Sequence, residues 1–370
     1  MSDGANCLVC GAPAAVVADI PYPFVRQSDF TNVKPSGRVA ACGSCSSIFH
    51  CVEPEDVQRI EAQFADETYA RSEQTGQTVP VDSGGRAATR SALQADILAG
   101  CVRQAPRAIL DIGCYDGELL VELERRFSTA GLHGFDASAQ MARHFPDRAP
   151  FRFWSPRLDA VPGPFNLICI SHTLMYVHDL PALAREINRL LAPEGLLFLQ
   201  MPDIAANPLS LLMGDQYLYF TADSLCSTLA RFGLTVTALE NPWFPREIVA
   251  IGKRGSHPDA PATDAVEILR RSISLLAGKA WNLRGLPART PLSVLGTTFS
   301  AAFVDNVASA PVVRFVDENP AREGTVFRAK PVVHPRALAD DDVLVVPYGP
   351  SGAKIQERFA RQYPVRTVVV

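Results

Sequence analysis

The 370-residue chain has no apolar run long enough to span a bilayer, and no basic stretch followed by an apolar core at its start. Neither membrane insertion nor a secretory leader is expected, and a cytoplasmic location is. Basic charge is not in surplus: 35 Lys and Arg against 39 Asp and Glu leave a net charge of -4. That removes the electrostatic footprint of a protein that binds nucleic acid or an anionic membrane. No repeat of fixed period is visible. What is abundant is apolar material, 47% against 20% charged. This is enough for sizeable cores, and the length predicts two or three units. In such a compartment the nine cysteines read as thiols and metal ligands rather than disulfides.

The chain is organised around Ala108-Ile109-Leu110-Asp111-Ile112-Gly113-Cys114-Tyr115-Asp116-Gly117-Glu118-Leu119-Leu120. A short apolar run ends in an acid and two glycines, then passes into a helical pattern, which predicts strand, tight turn and helix. Glycine lets the backbone approach a ligand closely, and the N–H groups opening the helix face it. The spacing D-x-G-x-x-x-G is not the dinucleotide pattern G-x-G-x-x-G, because Tyr115 replaces the middle glycine. An acid at the strand end repels a pyrophosphate and suits a cofactor carrying an amine or hydroxyls. Asp136 ends the next strand, Gly131–Phe135, about 20 residues on, where ribose hydroxyls are gripped.

Together these residues resemble the S-adenosylmethionine site of a class I methyltransferase. More narrowly, D-I-G-C-Y-D-G-E-L-L resembles the E-I-G-x-N-D-G-x-L-L form of sugar C-methyltransferases. Further likenesses follow in order along the chain. Phe165-Asn166-Leu167-Ile168-Cys169-Ile170-Ser171-His172 is similar to that family's F-D-L-I-x-x-x-H strand. The stretch from Leu211 to Leu225 is similar to its Y-H-E-H-L-x-Y-F-S-x-x-S-L segment, matching at Tyr219, Phe220, Thr221, Ser224 and Leu225. Phe315 to Phe327 and Val343 to Tyr348 are similar to its C-terminal V-D-x-N-P-x-K-x-G and V-L-I-L-P-W. The departure lies at the family's Glu-His pair, which here reads Asp215-Gln216. Glutamine takes no proton at neutral pH, so either the base has moved or the reaction is not carbon methylation beside a ketone.

The resemblance implies a Rossmann-like methyltransferase sheet with an N-terminal zinc module and a smaller C-terminal α/β domain. The expected boundaries are 1–60 for the zinc module, 61–255 for the cofactor domain with a helical lead-in over 61–105, and 256–370 for the last domain. Cys7-x-x-Cys10 and Cys42-x-x-Cys45, each beside a glycine, predict a closed, structural Zn²⁺ site; reduced thiols packed in a small core are the alternative. Within the cofactor domain alternating strands and helices, including a helix over 138–145, predict a parallel sheet. Its last strand pair falls near 234–240 and 246–252, and the ligand is expected at the strand C-termini. Gly296, after another short strand, lacks the glycines that would complete a dinucleotide fingerprint.

The residues expected to hold the cofactor are Asp111, Gly113, Tyr115, Asp116, Gly117, Asp136, Ala137, Trp154 and His172. Trp154 would stack on adenine, with a core role as its alternative. The candidates for the proton-accepting group are His172, Asp215, Tyr69 and Tyr217. Tyr69 comes from a segment that the resemblance places against substrate, and residues 78–85 read as a loop able to act as a lid. The implied acceptor is a small polar metabolite, a nucleotide-linked deoxysugar, methylated on carbon or oxygen by a monomer or homodimer. Two other readings stay open: a binding module that has kept the cofactor and lost the base, and a nicotinamide-dependent oxidoreductase or epimerase.

Overall fold

The computed structural model describes residues 5–26, 29–65, 78–80, 87–239, 243–255, 264–348, 352–363 and 365–370. The chain divides into two compact units. One comprises Met1–Ala18, Arg38–Asn207 and Gln216–Leu269; the other comprises Asp19–Gly37, Pro208–Asp215 and Arg270–Val370. The second unit therefore draws on two short segments far upstream of its main body. Among the described residues no helix is long and apolar enough to cross a membrane.

A seven-stranded sheet forms the centre of the first unit, in the order Phe151–Trp154, Gly131–Phe135, Ala108–Ile112, Phe165–Ser171, Leu191–Pro202, Glu247–Arg254 and Leu234–Leu239. The first five strands are parallel, and Glu247–Arg254 runs antiparallel to both of its neighbours. The central strands are near-continuous apolar runs, as burial on both faces demands. Leu167 to Ile170 and Leu197 to Leu199 are wholly buried. Alternation sends successive side chains to opposite faces. Leu110, Ile112, Ile168 and Ile170 pack with Leu183 and Ile187 on one face. Ile109, Leu167 and Cys169 pack with Leu98, Leu119, Leu120 and Leu123 on the other.

The helices that supply those faces have clear start signals. Thr89 caps Arg90–Cys101 by accepting from the Ala92 N–H, and Asp179 caps Leu180–Leu190 through the Ala182 N–H. Thr221 and Ser224 form a reciprocal capping box at the head of Ala222–Ala230, with bonds of 2.9 and 3.1 Å. Residues 138–145 depart from the helical expectation: only a 3₁₀ turn forms, over Ala139–Arg143. Ser138 makes no side-chain cap there, and Pro146 disfavours helical backbone at the residue before it.

A small sheet, ordered Val16–Ile20, Gly37–Ala41, Ile48–His50 and Leu218–Tyr219, accompanies the four N-terminal cysteines. The second unit has its own six-stranded mixed sheet. Its order is Val326–Phe327, Lys330–Val333, Val312–Val316, Leu292–Leu295, Val343–Val346 and Arg366–Val369. All pairings are parallel except the hairpin at its edge. That hairpin turns through Arg328 and Ala329, both with left-handed backbone. The Arg328 side chain offsets the strain by bonding Asp305 at 2.8 Å, Asn306 at 2.7 Å and the Phe30 carbonyl.

Candidate active site

The Ala108–Ile112 strand ends in a turn that only particular residues can make. Backbone φ is +80° at Gly113, +50° at Tyr115 and +80° at Gly117, a region costly for most L-residues. A Cβ on Gly113 would overlap the Thr173 side chain, and one on Gly117 would come within 2.9 Å of the Phe145 ring. The turn is laced to the next strand: Gly113 and Cys114 N–H both donate to the Phe135 carbonyl, at 2.7 and 3.0 Å. Asp136 then accepts from the Tyr115 N–H at 3.1 Å and the Ser138 N–H at 2.9 Å. Asp116 accepts from the Glu118 N–H and so opens the Glu118–Arg126 helix.

Asp111 is the anomaly of this turn. Its side chain is buried, and its Oδ1 has no hydrogen-bond partner among the described residues. Burial, reinforced by the charges of Asp136 and Asp116, pushes it up to about 7. Burial also raises Asp136, against the lowering effect of its two backbone donors. Two carboxylates short of positive charge, beside a turn with glycine at 113 and 117, suit a ligand bringing amine and hydroxyl donors. S-adenosylmethionine carries both, so the residues present fit that cofactor.

Trp154 pairs with Phe135 across the strands. Its indole N–H donates to His133 Nδ1 at 3.1 Å, and the two rings lie within 5° of parallel. Ala137 is exposed and takes a 3.4 Å bond from the Ser155 hydroxyl on its carbonyl. His172 leaves the Phe165–Ser171 strand with φ +52°, next to the Thr173 that abuts Gly113. Since Cys169 is in register with Asp111, His172 stands at the same end of the sheet as the glycine turn. Tyr217 is wholly buried in the first unit, its N–H bonded to the Met175 carbonyl and its ring edge-on to His178 at 5.0 Å. Gln216 donates to the Tyr176 hydroxyl at 3.3 Å. Asp215 is buried in the second unit, where its charge acts on Arg26. Tyr69 and most of the 78–85 loop lie outside the described residues.

Sequence reasoning missed a polar cluster around His172. Glu247 Oε2 lies 3.0 Å from His172 Nε2, 2.6 Å from Arg90 Nη1 and 2.6 Å from Gln200 Nε2. Gln94 bridges Ser171 Oγ at 2.7 Å and Gln200 Oε1 at 2.8 Å. Burial opposes the charge on Glu247, but His172 and Arg90 outweigh it and hold that carboxylate well below the usual range. One signal was available: Gln200 interrupts the apolar run Leu196 to Met201. Arg90 and Glu247 gave none, being 157 residues apart.

At the N-terminal cysteines the four Sγ atoms all lie within 4.8 Å of one another. Cys7–Cys45 and Cys10–Cys42 are 3.5 and 3.6 Å apart, close to the roughly 3.8 Å edge of a tetrahedron with Zn–S bonds of about 2.3 Å. The Val9 N–H donates to Cys7 Sγ at 3.3 Å. A hydrogen bond from Cys45 lowers Cys7 to about 4, and the same contact raises Cys45. The donor set fits zinc in a closed, structural site.

In the second unit Gly296 repeats the turn, with φ +87° and its N–H bonded to the Val316 carbonyl at 2.7 Å. Its electrostatics differ. Val294 stands where the first turn has Asp111, and Asp317 is bonded to Thr297 Oγ1 at 3.1 Å with Arg322 3.7 Å away.

Residues 87–239 match the family model described as "Methyltransferase domain". Trans-aconitate 2-methyltransferase of Yersinia pseudotuberculosis is 33% identical over 129 residues, covering 33% of this chain and 48% of that protein. Malonyl-[acyl-carrier protein] O-methyltransferase of Halorhodospira halophila is 36% identical over 101 residues, covering 25% of this chain and 34% of that protein. The chain thus spans about half the length, or less, of these relatives. Among solved structures, the plantazolicin methyltransferase BpumL aligns with a TM-score of 0.43 at 15% identity, over 54% of this chain and 98% of its own.

Proposed function

We propose that residues 87–239, which match the methyltransferase family model, form a class I S-adenosylmethionine-dependent domain, and that the chain methylates a small polar metabolite, a nucleotide-linked deoxysugar. One observation carries the first part: the buried Asp111 carboxylate, raised to about 7 and without a partner on Oδ1 among the described residues, at a left-handed glycine turn. The sugar reading is supported by the ordered motif likenesses from the cysteine pairs through His172 and Thr221 to the Phe315–Phe327 stretch.

Bound S-adenosylmethionine supplies a methyl group on a positively charged sulfur. Around it Asp111 would accept hydrogen bonds from its amine or hydroxyls, and Asp136 would hold the ribose diol. The backbone from Gly113 to Gly117, with Tyr115 and Asp116, would line its near side. Ala137 and Trp154 would border the base. An acceptor hydroxyl or carbon acid must also lose a proton. His172, at the turn's end of the sheet, is one candidate for the base; Asp215, Tyr217 and Tyr69 are the others. The cysteine site would fold the N-terminal module and take no part in the chemistry.

Calorimetry with S-adenosylhomocysteine tests the cofactor reading, with micromolar binding expected; no heat and no thermal stabilisation at millimolar ligand would refute it. Labelled donor with a panel of nucleotide-linked keto- and hydroxysugars tests the acceptor. Small carboxylic acids belong in the same panel, since the name of one relative, trans-aconitate 2-methyltransferase, points to such an acceptor. Transfer to the acids alone would replace the sugar reading.

A further inference from the structure

The Arg90–Glu247–His172 cluster is more elaborate than a structural tie requires. Glu247 is the hub, bonded at once to a cation, an amide and an imidazole, and its side chain is only 14% exposed. The imidazole is 34% exposed on a residue with left-handed backbone, whose main-chain N–H donates to the Gln200 carbonyl at 2.7 Å. The tautomer follows from donor chemistry. Arg90 can only donate, so Nε2 either accepts from Arg90 at 3.3 Å or donates to Glu247 at 3.0 Å, not both. The shorter distance and the buried carboxylate select donation to Glu247. Nδ1 is then the lone-pair nitrogen, and no described residue bonds it.

We propose that Glu247 and Arg90 are positioning residues for His172. Glu247 takes the Nε2 proton and orients the ring, Arg90 balances the charge of Glu247, and Nδ1 is left as the proton-accepting atom beside the glycine turn. The inference rests on the cofactor reading above for its purpose, though not for its geometry. An acceptor proton delivered to Nδ1 leaves an imidazolium whose charge Glu247 stabilises through Nε2–H. Arg90 shares the same carboxylate, which keeps the ring from being locked in its charged form before the proton arrives. The charged groups bonded to the ring, from the head of the Arg90–Cys101 helix and from the Glu247–Arg254 strand, are these two alone among the described residues.

Ring-nitrogen NMR on the ¹⁵N-histidine-labelled full chain tests this without an acceptor, His172 being assigned by its loss in His172→Asn. In the wild type the neutral ring should show a protonated Nε2 and a bare Nδ1. Removing the cation in Arg90→Gln should move the His172 titration midpoint up by about one pH unit, and removing the anion in Glu247→Gln should move it down by about one. Arg90→Lys should restore the wild-type midpoint. Opposite displacements show that both charges act on the ring, and the wild-type tautomer shows that Glu247 orients it. A protonated Nδ1 in the wild type overturns the proposal even if no variant folds, and so does a midpoint that moves the same way, or not at all, in both variants. Calorimetry with S-adenosylhomocysteine on the same samples separates the two readings. Its failure on the wild type sinks the cofactor reading and leaves the tautomer result standing.

Discussion

Asp111→Asn should stabilise this protein while damaging its cofactor site, and the size of the effect follows from the environment of one carboxylate. Folding carries Asp111 from an ordinary value of 3.8 to about 7, so the native state resists its ionisation. The direction is that of a raised native pKa. Stability is fully present below about 3.8, falls as pH rises toward 7, and stays low above it. A displacement of about 3 units at 1.36 kcal/mol each corresponds to about 4 kcal/mol at slightly alkaline pH, an upper figure for an unrelaxed site. Asparagine keeps the shape of the protonated acid and never ionises. The variant should therefore melt close to wild type at pH 4.5 and roughly 5 °C or more above it at pH 8, at about 2–4 °C per kcal/mol. Differential scanning fluorimetry across pH 4.5–8.5 reads this, and S-adenosylhomocysteine titrations on the same samples should show affinity falling at least tenfold. A variant that melts below wild type at every pH, or whose advantage does not grow with pH, would refute the reasoning.

The same carboxylate couples ligand binding to protons. A donor-rich ligand should lower Asp111 and release about half a proton at pH 7, seen as a buffer-dependent calorimetric enthalpy; no dependence on buffer ionisation heat would remove the link. Gly113→Ala should weaken S-adenosylhomocysteine binding at least tenfold and cost about 1–2 kcal/mol for the left-handed backbone alone, the overlap with Thr173 adding to it. Chain denatured in a chromogenic chelator should release about one zinc per molecule. Cys10→Ser should lose that metal and lower the melting temperature, whereas an unchanged metal content would relocate the site.

Local pattern carried much of this protein. The apolar run before Asp111, the glycines at 113 and 117 and the acid at 136 encode strand, turn and strand end within one contiguous stretch, because strand burial and left-handed turns act over a few residues. The clustering of the four cysteines was legible for a related reason: each C-x-x-C knuckle is local, and two of them together make a four-sulfur ligand set. Tertiary structure decided what depends on distant segments meeting. It set Glu247–Arg254 antiparallel beside Leu191–Pro202, placing Glu247 opposite Pro202 and within reach of Gln200, His172 and Arg90. It also gathered 19–37 and 208–215 into the unit of the C-terminal sheet. Neither is written in any window of sequence, since strand order and register are settled by how whole faces bury one another. The charge state of Asp111 belongs to the same class: its identity is local, but its desolvation is produced by everything packed around it.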